Sequence, residues 1–255
     1  MFRFLSILIL GFSIIYISND DDDDTKNRRQ ASSFQSFSRC IAPRTVSFMI
    51  TWGPSIKTGS LLNAFTAGNL SNLLMINPNS LNSGNNQAIA TGYHKQGIIG
   101  MIIPLWAEDV TSMSAETYAQ HLKTFADQTS AAMGLTGLWP KYIRIPTISK
   151  NKGCLVDTTP MVNIANQMGF VVVQNTKGDG DLRQESDASI MTNYMNDNSG
   201  YIFSIEDSQN DSLDEYGVEH IIASAQGKGY NITSMTNCIG LNSESKMRTS
   251  ILLFI

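Results

Sequence analysis

Residues 158–174 read Thr158-Thr-Pro-Met-Val-Asn-Ile-Ala-Asn-Gln-Met-Gly-Phe-Val-Val-Val-Gln174, a helix over 158–168 and then a strand over 170–174. The β-branched and aromatic residues of 170–174 make it the clearest strand in the chain. The same alternation continues outward in both directions. Upstream, 45–50 and 70–76 are short β-rich runs, and 98–103 is a continuous apolar run with the length of a buried strand. Ser114 is placed to cap a helix whose apolar positions are Tyr118, Leu122, Phe125, Ala126, Thr129 and Met133, spaced by threes and fours. Residues 142–146 form a brief strand. Downstream, 201–205 is a strand, and Ser212-Leu-Asp-Glu215 is a capping box. It opens a helix with Val218, Ile221, Ile222 and Ala225 on one face, which Gly227 and Gly229 end. Residues 232–235 make the last strand. Alternation of this kind predicts parallel strands with crossover helices, hence an α/β barrel or wound sheet.

Composition bounds the function. The chain has 255 residues, a formal charge of −4, 42% hydrophobic residues and only 16% charged ones, against roughly 25% in an ordinary domain. That supplies one sizeable core and argues against wholesale disorder and against a multi-spanning membrane protein. The acidic balance, with no basic excess in the body, argues against a nucleic-acid partner. At the N-terminus, Arg3 followed by the apolar run 4–17 makes 1–18 a secretory signal peptide. The run is shorter than the roughly 20 residues a spanning helix needs. Cleavage and retention as a signal-anchor both fit, so membrane contact is expected only through an uncleaved N-terminal segment. Residues 19–37, with the run Asp20 to Asp24, form an acidic disordered linker. The domain proper is expected over 38–240, and 241–255 is a short tail. Secretion places the cysteines in an oxidising compartment. Cys40 and Cys238 bracket the apolar body, and a bridge between them would clip the first strand to the last. Cys154 is left over and reads as a small buried hydrophobe.

Unaided, the residues offer little chemistry. His94, His121 and His220 form no metal-ligand pair; His121 borders the apolar face of its helix. Glu206-Asp207 follows an apolar strand, where a barrel enzyme carries catalytic groups and where a solvated strand end is equally at home. Gly178-Asp-Gly-Asp181 is only a fragment of a calcium loop. Trp52, Trp106 and Trp139 suit either sugar stacking or core filling.

Order and spacing of several fragments resemble the polysaccharide deacetylase (NodB-homology) family, in particular fungal-type chitin deacetylases. Lys228-Gly-Tyr-Asn-Ile-Thr-Ser-Met-Thr-Asn-Cys-Ile-Gly240 is similar to that family's closing segment. Cys40-x-x-Pro-x-Thr-Val through Gly53-Pro54 resembles its first strand and TFDDGP motif. Lys141-Tyr-Ile-Arg144-Ile-Pro146 resembles YxRPP, and Asp109-Val-Thr-Ser-Met-Ser114 resembles the stretch behind its histidine motif. The resemblance spans about 40–240 and implies a distorted (β/α) barrel. It also puts Cys40 and Cys238 where a closing disulfide is expected.

The family's reaction uses a divalent metal such as zinc, held by an Asp and two His, with a second Asp as base and a late His as acid. The metal acidifies a bound water and polarises the acetamide carbonyl. Aligned on the resemblance, these positions fall on Thr51, Trp52, Ile103, Ala107 and Glu206, so no cofactor, metal or catalytic set is expected. Arg144, Asp181 and Asp207 match supporting positions. Arg144, deprived of its usual aspartate, is expected to pair with Asp181 or Glu206. These departures imply a secreted, catalytically degenerate deacetylase-like protein of a cell wall or outer surface, acting by glycan binding or structurally, with chitin or another cell-wall glycan as the expected partner. The alternative is an active chitin or chitooligosaccharide deacetylase using a displaced site near Glu206, Asp207 and Asp181.

Overall fold

The computed structural model describes residues 36–96, 98–104, 113–135, 137–145, 157–176, 181–182, 195, 197–207, 215–241 and 247–249. The expected signal peptide, most of the expected linker, Cys154, Trp106, Ala107 and the 212–214 part of the capping box lie outside them.

The strands are β1 (Ser36–Phe37), β2 (Thr45–Thr51), β3 (Leu73–Ile76), β4 (Ile98–Ile102), β5 (Leu138–Pro140), β6 (Tyr142–Arg144), β7 (Val171–Val173), β8 (Asp181–Leu182), β9 (Tyr201–Glu206), β10 (Asn231–Ile232) and β11 (Met247–Thr249). The helices are α1 (Thr58–Ala67), α2 (Gly84–Gln96), α3 (Ala115–Ala132), α4 (Thr159–Gln167), α5 (Glu215–Gly227) and the single turn α6 (Met235–Cys238). Among the described residues one parallel sheet runs β1-β7-β6-β4-β3-β2-β9-β8, with β10 beside β2. It is the distorted (β/α) barrel implied by the resemblance, one of the two architectures the alternation allows.

Parallel strands bury both faces, and the period of two assigns each residue a side. On β2, Val46, Phe48 and Ile50 face the helices, packing with Leu61 and Phe65 of α1 and Val218 and Ile221 of α5. Met49 faces the interior with Leu73, Met75, Tyr142, Val173 and Ile202, so apolar side chains fill the barrel below its mouth. A second outer cluster joins Met101, Ile143 and Val172 to Tyr118 and Leu122 of α3 and Met161 and Ala165 of α4. Ser114 caps α3 as expected, accepting from Thr117 N at 3.1 Å. Trp139 is core: it stacks on Phe170 at 5.6 Å and donates to Asp127 Oδ1 at 2.8 Å.

Thr176 links the two flanks of the sheet. Its N–H donates to Ile202 O at 2.9 Å, its hydroxyl accepts from Ile202 N at 3.0 Å and donates to Ser38 O at 2.9 Å. The Cys40–Cys238 disulfide is present with Cα atoms 4.4 Å apart, and Ile41 N donates to Cys238 O at 2.7 Å beside it. Gly200 passes so close to the Cys40 and Ala42 carbonyls that a side chain there would overlap them.

Several boundaries differ from the sequence reading. Ser36–Phe37, assigned to the linker, pairs with β7, and the tail contributes β11 against β5. The expected strand over 232–235 is shorter, because the Ser234 hydroxyl accepts from Asn237 N and turns the chain into α6. Helices α1 and α2 were not anticipated.

Candidate functional site at the barrel mouth

In a parallel barrel, functional side chains gather at the C-terminal ends of the strands. Thr51 ends β2 and Glu206 ends β9, and the two are partners in register. Thr51 is fully buried, its hydroxyl directed at Ile205 O at 3.4 Å. The chain then turns sharply. Trp52 takes a left-handed conformation (φ 69°) and a cis peptide joins Gly53 to Pro54. Asp207, the residue after β9, is buried at 2% exposure beneath this turn. Its carboxylate accepts from the Ser55 and Thr58 hydroxyls and from Ser55 N at 3.3 Å. It lies against Gly53 so tightly that any Cβ there would collide with it. These donors lead into α1, whose N-terminal end favours a negative charge.

Trp52, Pro54, Ser55, Ile56, Glu206 and Asp207 line part of a cavity of about 660 Å³. The rest of its wall is Ser80, Asn82, Ser83, Asn85 and Asn86, from the 3₁₀ turn Pro78–Asn82 and the start of α2. The wall is held by its own side chains: Asn79 N to Asn77 Oδ1 at 3.0 Å, Asn82 Nδ2 to Asn79 O at 2.8 Å, Asn86 Nδ2 to Ser80 O at 2.6 Å. It is also bonded to the turn, because Gly53 O accepts from Asn77 N at 2.7 Å and Ser80 Oγ at 2.9 Å.

The structure brings together Thr51, Trp52, Glu206 and Asp207. Ile103 stands at the same end of the barrel, but its side chain belongs to the helix-facing cluster with Tyr118 and Leu122. Arg144 is buried at 4% exposure, and its Nη2 donates to the Asn175 amide oxygen at 3.0 Å. This neutral partner was not foreseen. Asp181 sits beside Ser204 in register; its side chain lies outside the described residues. His121 stacks on Phe125 at 6.0 Å and His220 is exposed on α5. The polar wall was also missed. Its signal was legible as composition, since Asn77-Pro-Asn-Ser-Leu-Asn-Ser-Gly-Asn-Asn86 holds five asparagines and two serines in ten residues.

Among the described residues the donors present do not fit a divalent metal of the deacetylase type. Such a site needs three protein ligands aimed at one point. Thr51 is engaged with the β9 backbone, Trp52 and Ile103 carry no ligand, and the Asp207 oxygens are engaged by hydroxyls. Among the described residues no group of three or more His, Cys, Asp or Glu is gathered for an ion.

No family model and no curated protein matches the sequence. Solved structures do match the fold. The chitin deacetylase of the fungal pathogen Colletotrichum lindemuthianum aligns with a TM-score of 0.64 at 18% identity, over 85% of this chain and 96% of that one. A family 4 carbohydrate esterase from Bacillus anthracis aligns at 0.58 and 14% identity, covering 81% and 88%. A family 4 pseudoenzyme from Bacillus anthracis aligns at 0.57 and 14% identity, covering 81% and 69%. The fold is that of the polysaccharide deacetylases, as the sequence fragments implied.

Proposed function

We propose that this chain is a secreted, catalytically degenerate polysaccharide deacetylase-like protein that binds a cell-wall or surface glycan without hydrolysing it. The observation that carries the reading is the state of Asp207. It is the buried carboxylate at the mouth, and hydroxyl and amide donors from Ser55 and Thr58 already surround it. A general base must reach the proton it takes within about 3 Å, and a metal ligand must offer a lone pair; Asp207 is committed to neither. Thr51 and Trp52 supply no substitute. The same fold already includes a protein described as a pseudoenzyme, and a mutant of it is described as having restored activity, so loss of chemistry on this barrel has precedent.

The displaced-site reading would place hydrolysis on Glu206 with Asp207 and Asp181. The engagement of Asp207 speaks against it, because freeing that carboxylate would strand two buried hydroxyls. Dialysis against zinc, cobalt or nickel followed by metal analysis tests the proposal. The expected result is no stoichiometric metal; one tightly held ion per chain would overturn it.

A further inference from the structure

This inference rests on one part of the reading above, that the chain enters a secretory route, and says what happens to it there. We propose that Asn69 is an N-glycosylation acceptor, taking an oligosaccharide at the end of the barrel opposite the mouth. The pattern Asn-x-Ser/Thr, with x other than proline, marks an acceptor on the surface of a secreted protein. It occurs three times in the sequence, at Asn69-Leu-Ser71, Asn210-Asp-Ser212 and Asn231-Ile-Thr233. Such a short pattern recurs by chance, so accessibility must decide among the three.

Asn69 sits in the turn that ends α1. Gly68 is the C-cap of that helix, and Asn69 follows in the left-handed conformation, φ 51°. Asn69 N donates to Thr66 O at 3.0 Å and Leu70 N to Phe65 O at 2.8 Å, the paired bonds of a Schellman motif. Leu70 packs back onto the core cluster that contains Phe65. Asn69 and Ser71 are therefore both exposed, one on each side of an anchored leucine. Their exposed neighbours Thr66, Ala67 and Gly68 are small. Among the described residues no hydrogen bond engages the Asn69 amide or the Ser71 hydroxyl. Asn72 is the contrast: it is buried, and its side chain accepts from the Tyr93 hydroxyl. Asn231 is exposed too, but its triplet belongs to the sheet. Asn231 N donates to Arg44 O and Thr233 N to Val46 O, each at 2.9 Å, and Thr233 is half-buried. Asn210 lies outside the described residues. Helix α1 runs ten residues down from the mouth, about 15 Å, so an oligosaccharide on Asn69 leaves the mouth open.

The donor is an oligosaccharide on a lipid diphosphate, brought by a membrane transferase. The Asn69 Nδ2 attacks the anomeric carbon, and a C1–N bond forms. The C1–O bond to the diphosphate breaks, and the diphosphate leaves with its electron pair. One amide proton passes to a base of the transferase, and nothing is oxidised or reduced.

The test produces the full chain, with its own N-terminal segment, in a eukaryotic secretory host. Peptide N-glycanase converts a glycosylated asparagine to aspartate, and mass spectrometry of the peptides reads the conversion at position 69. Most molecules recovered from the medium are expected to be converted there. Ser71→Ala and Asn69→Gly should each abolish the conversion, whereas Ser71→Thr, which keeps the hydroxyl, should retain it. Asn69→Gly also keeps the left-handed turn, so its circular dichroism should match the parent and separate loss of the oligosaccharide from loss of the fold. Unmodified Asn69 in protein from the medium would overturn this inference and leave the secretion reading intact, as would occupancy of Asn210 or Asn231 with Asn69 bare. Conversion at position 69 that survives Ser71→Ala would overturn the role given to the triplet. Retention of the whole chain inside the cell with Asn69 unmodified would overturn the inference and the secretion reading together.

Discussion

Asp207 and Thr58 are joined by a hydrogen bond between the residue after β9 and the first residue of α1. That bond, with those from Ser55, turns a carboxylate at a favourable catalytic position into a clamp between two βα units. A charged group buried in this way is stable only because its lone pairs are satisfied. The clamp explains why Gly53 carries no side chain: the carboxylate fills the space where one would go.

Asp207→Ala should therefore destabilise the fold by about 2–4 kcal/mol, since the Ser55 and Thr58 hydroxyls lose their acceptor while remaining buried. Asp207→Asn should cost less, because one acceptor oxygen survives. Chemical denaturation of the two variants checks the order. An Asp207→Ala protein as stable as the parent would show that the carboxylate is not a clamp.

The Cys40–Cys238 bridge closes a loop of 198 residues, and the chain-entropy argument puts its upper contribution at about 5 kcal/mol. The double variant Cys40→Ser with Cys238→Ser should lose much of its thermal stability, and reductant should lower the melting temperature of the parent but not of the variant. An equal response in both would mean the bridge contributes nothing.

Part of this architecture was legible in the sequence and part was not. Strands β2, β3, β4, β6, β7 and β9 and helix α3 were readable because parallel strands are continuously apolar and Ser114 starts an unbroken three-four spacing, whereas the two- and three-residue strands β1, β5, β8 and β11 are too short to leave a pattern. Helix α1 was not, because Thr58-Gly-Ser60 at its start has poor helix propensity and its stability comes from packing against α5 and from the Asp207 clamp. The departures from the family's motif were visible as residue identities at Thr51 and Trp52. The roles of the survivors were not. Whether Asp207 faces solvent or two hydroxyls, and that Arg144 donates to the Asn175 amide, depends on residues that only tertiary structure brings together. The polar wall of the cavity was present as an asparagine-rich run, but such a run reads equally well as a loop.

Asp197 makes a pH-dependent contribution. The Tyr201 hydroxyl, then the Ser199 amide, hold its carboxyl below the ordinary aspartate value. A depressed folded-state value means the stabilisation is fully present above the unfolded-state value of about 3.9 and is lost as the pH falls through the lower folded value. Asp197→Asn should flatten the stability profile below about pH 4 relative to the parent, as read from acid unfolding followed by tryptophan fluorescence. Superimposable profiles would show that the pair does not operate in solution.

The central claim is that the mouth of this barrel no longer performs hydrolysis, and acetate release tests it most directly. The full chain, supplied with zinc or cobalt and incubated with N-acetylglucosamine tetramer, should release no acetate above a protein-free blank. Loss of a general base alone removes about 10²–10⁴ in rate, and among the described residues no group of three or more His, Cys, Asp or Glu is gathered to hold a metal-activated water. Sustained acetate release that Glu206→Gln abolishes would contradict the account and assign the chemistry to a displaced site.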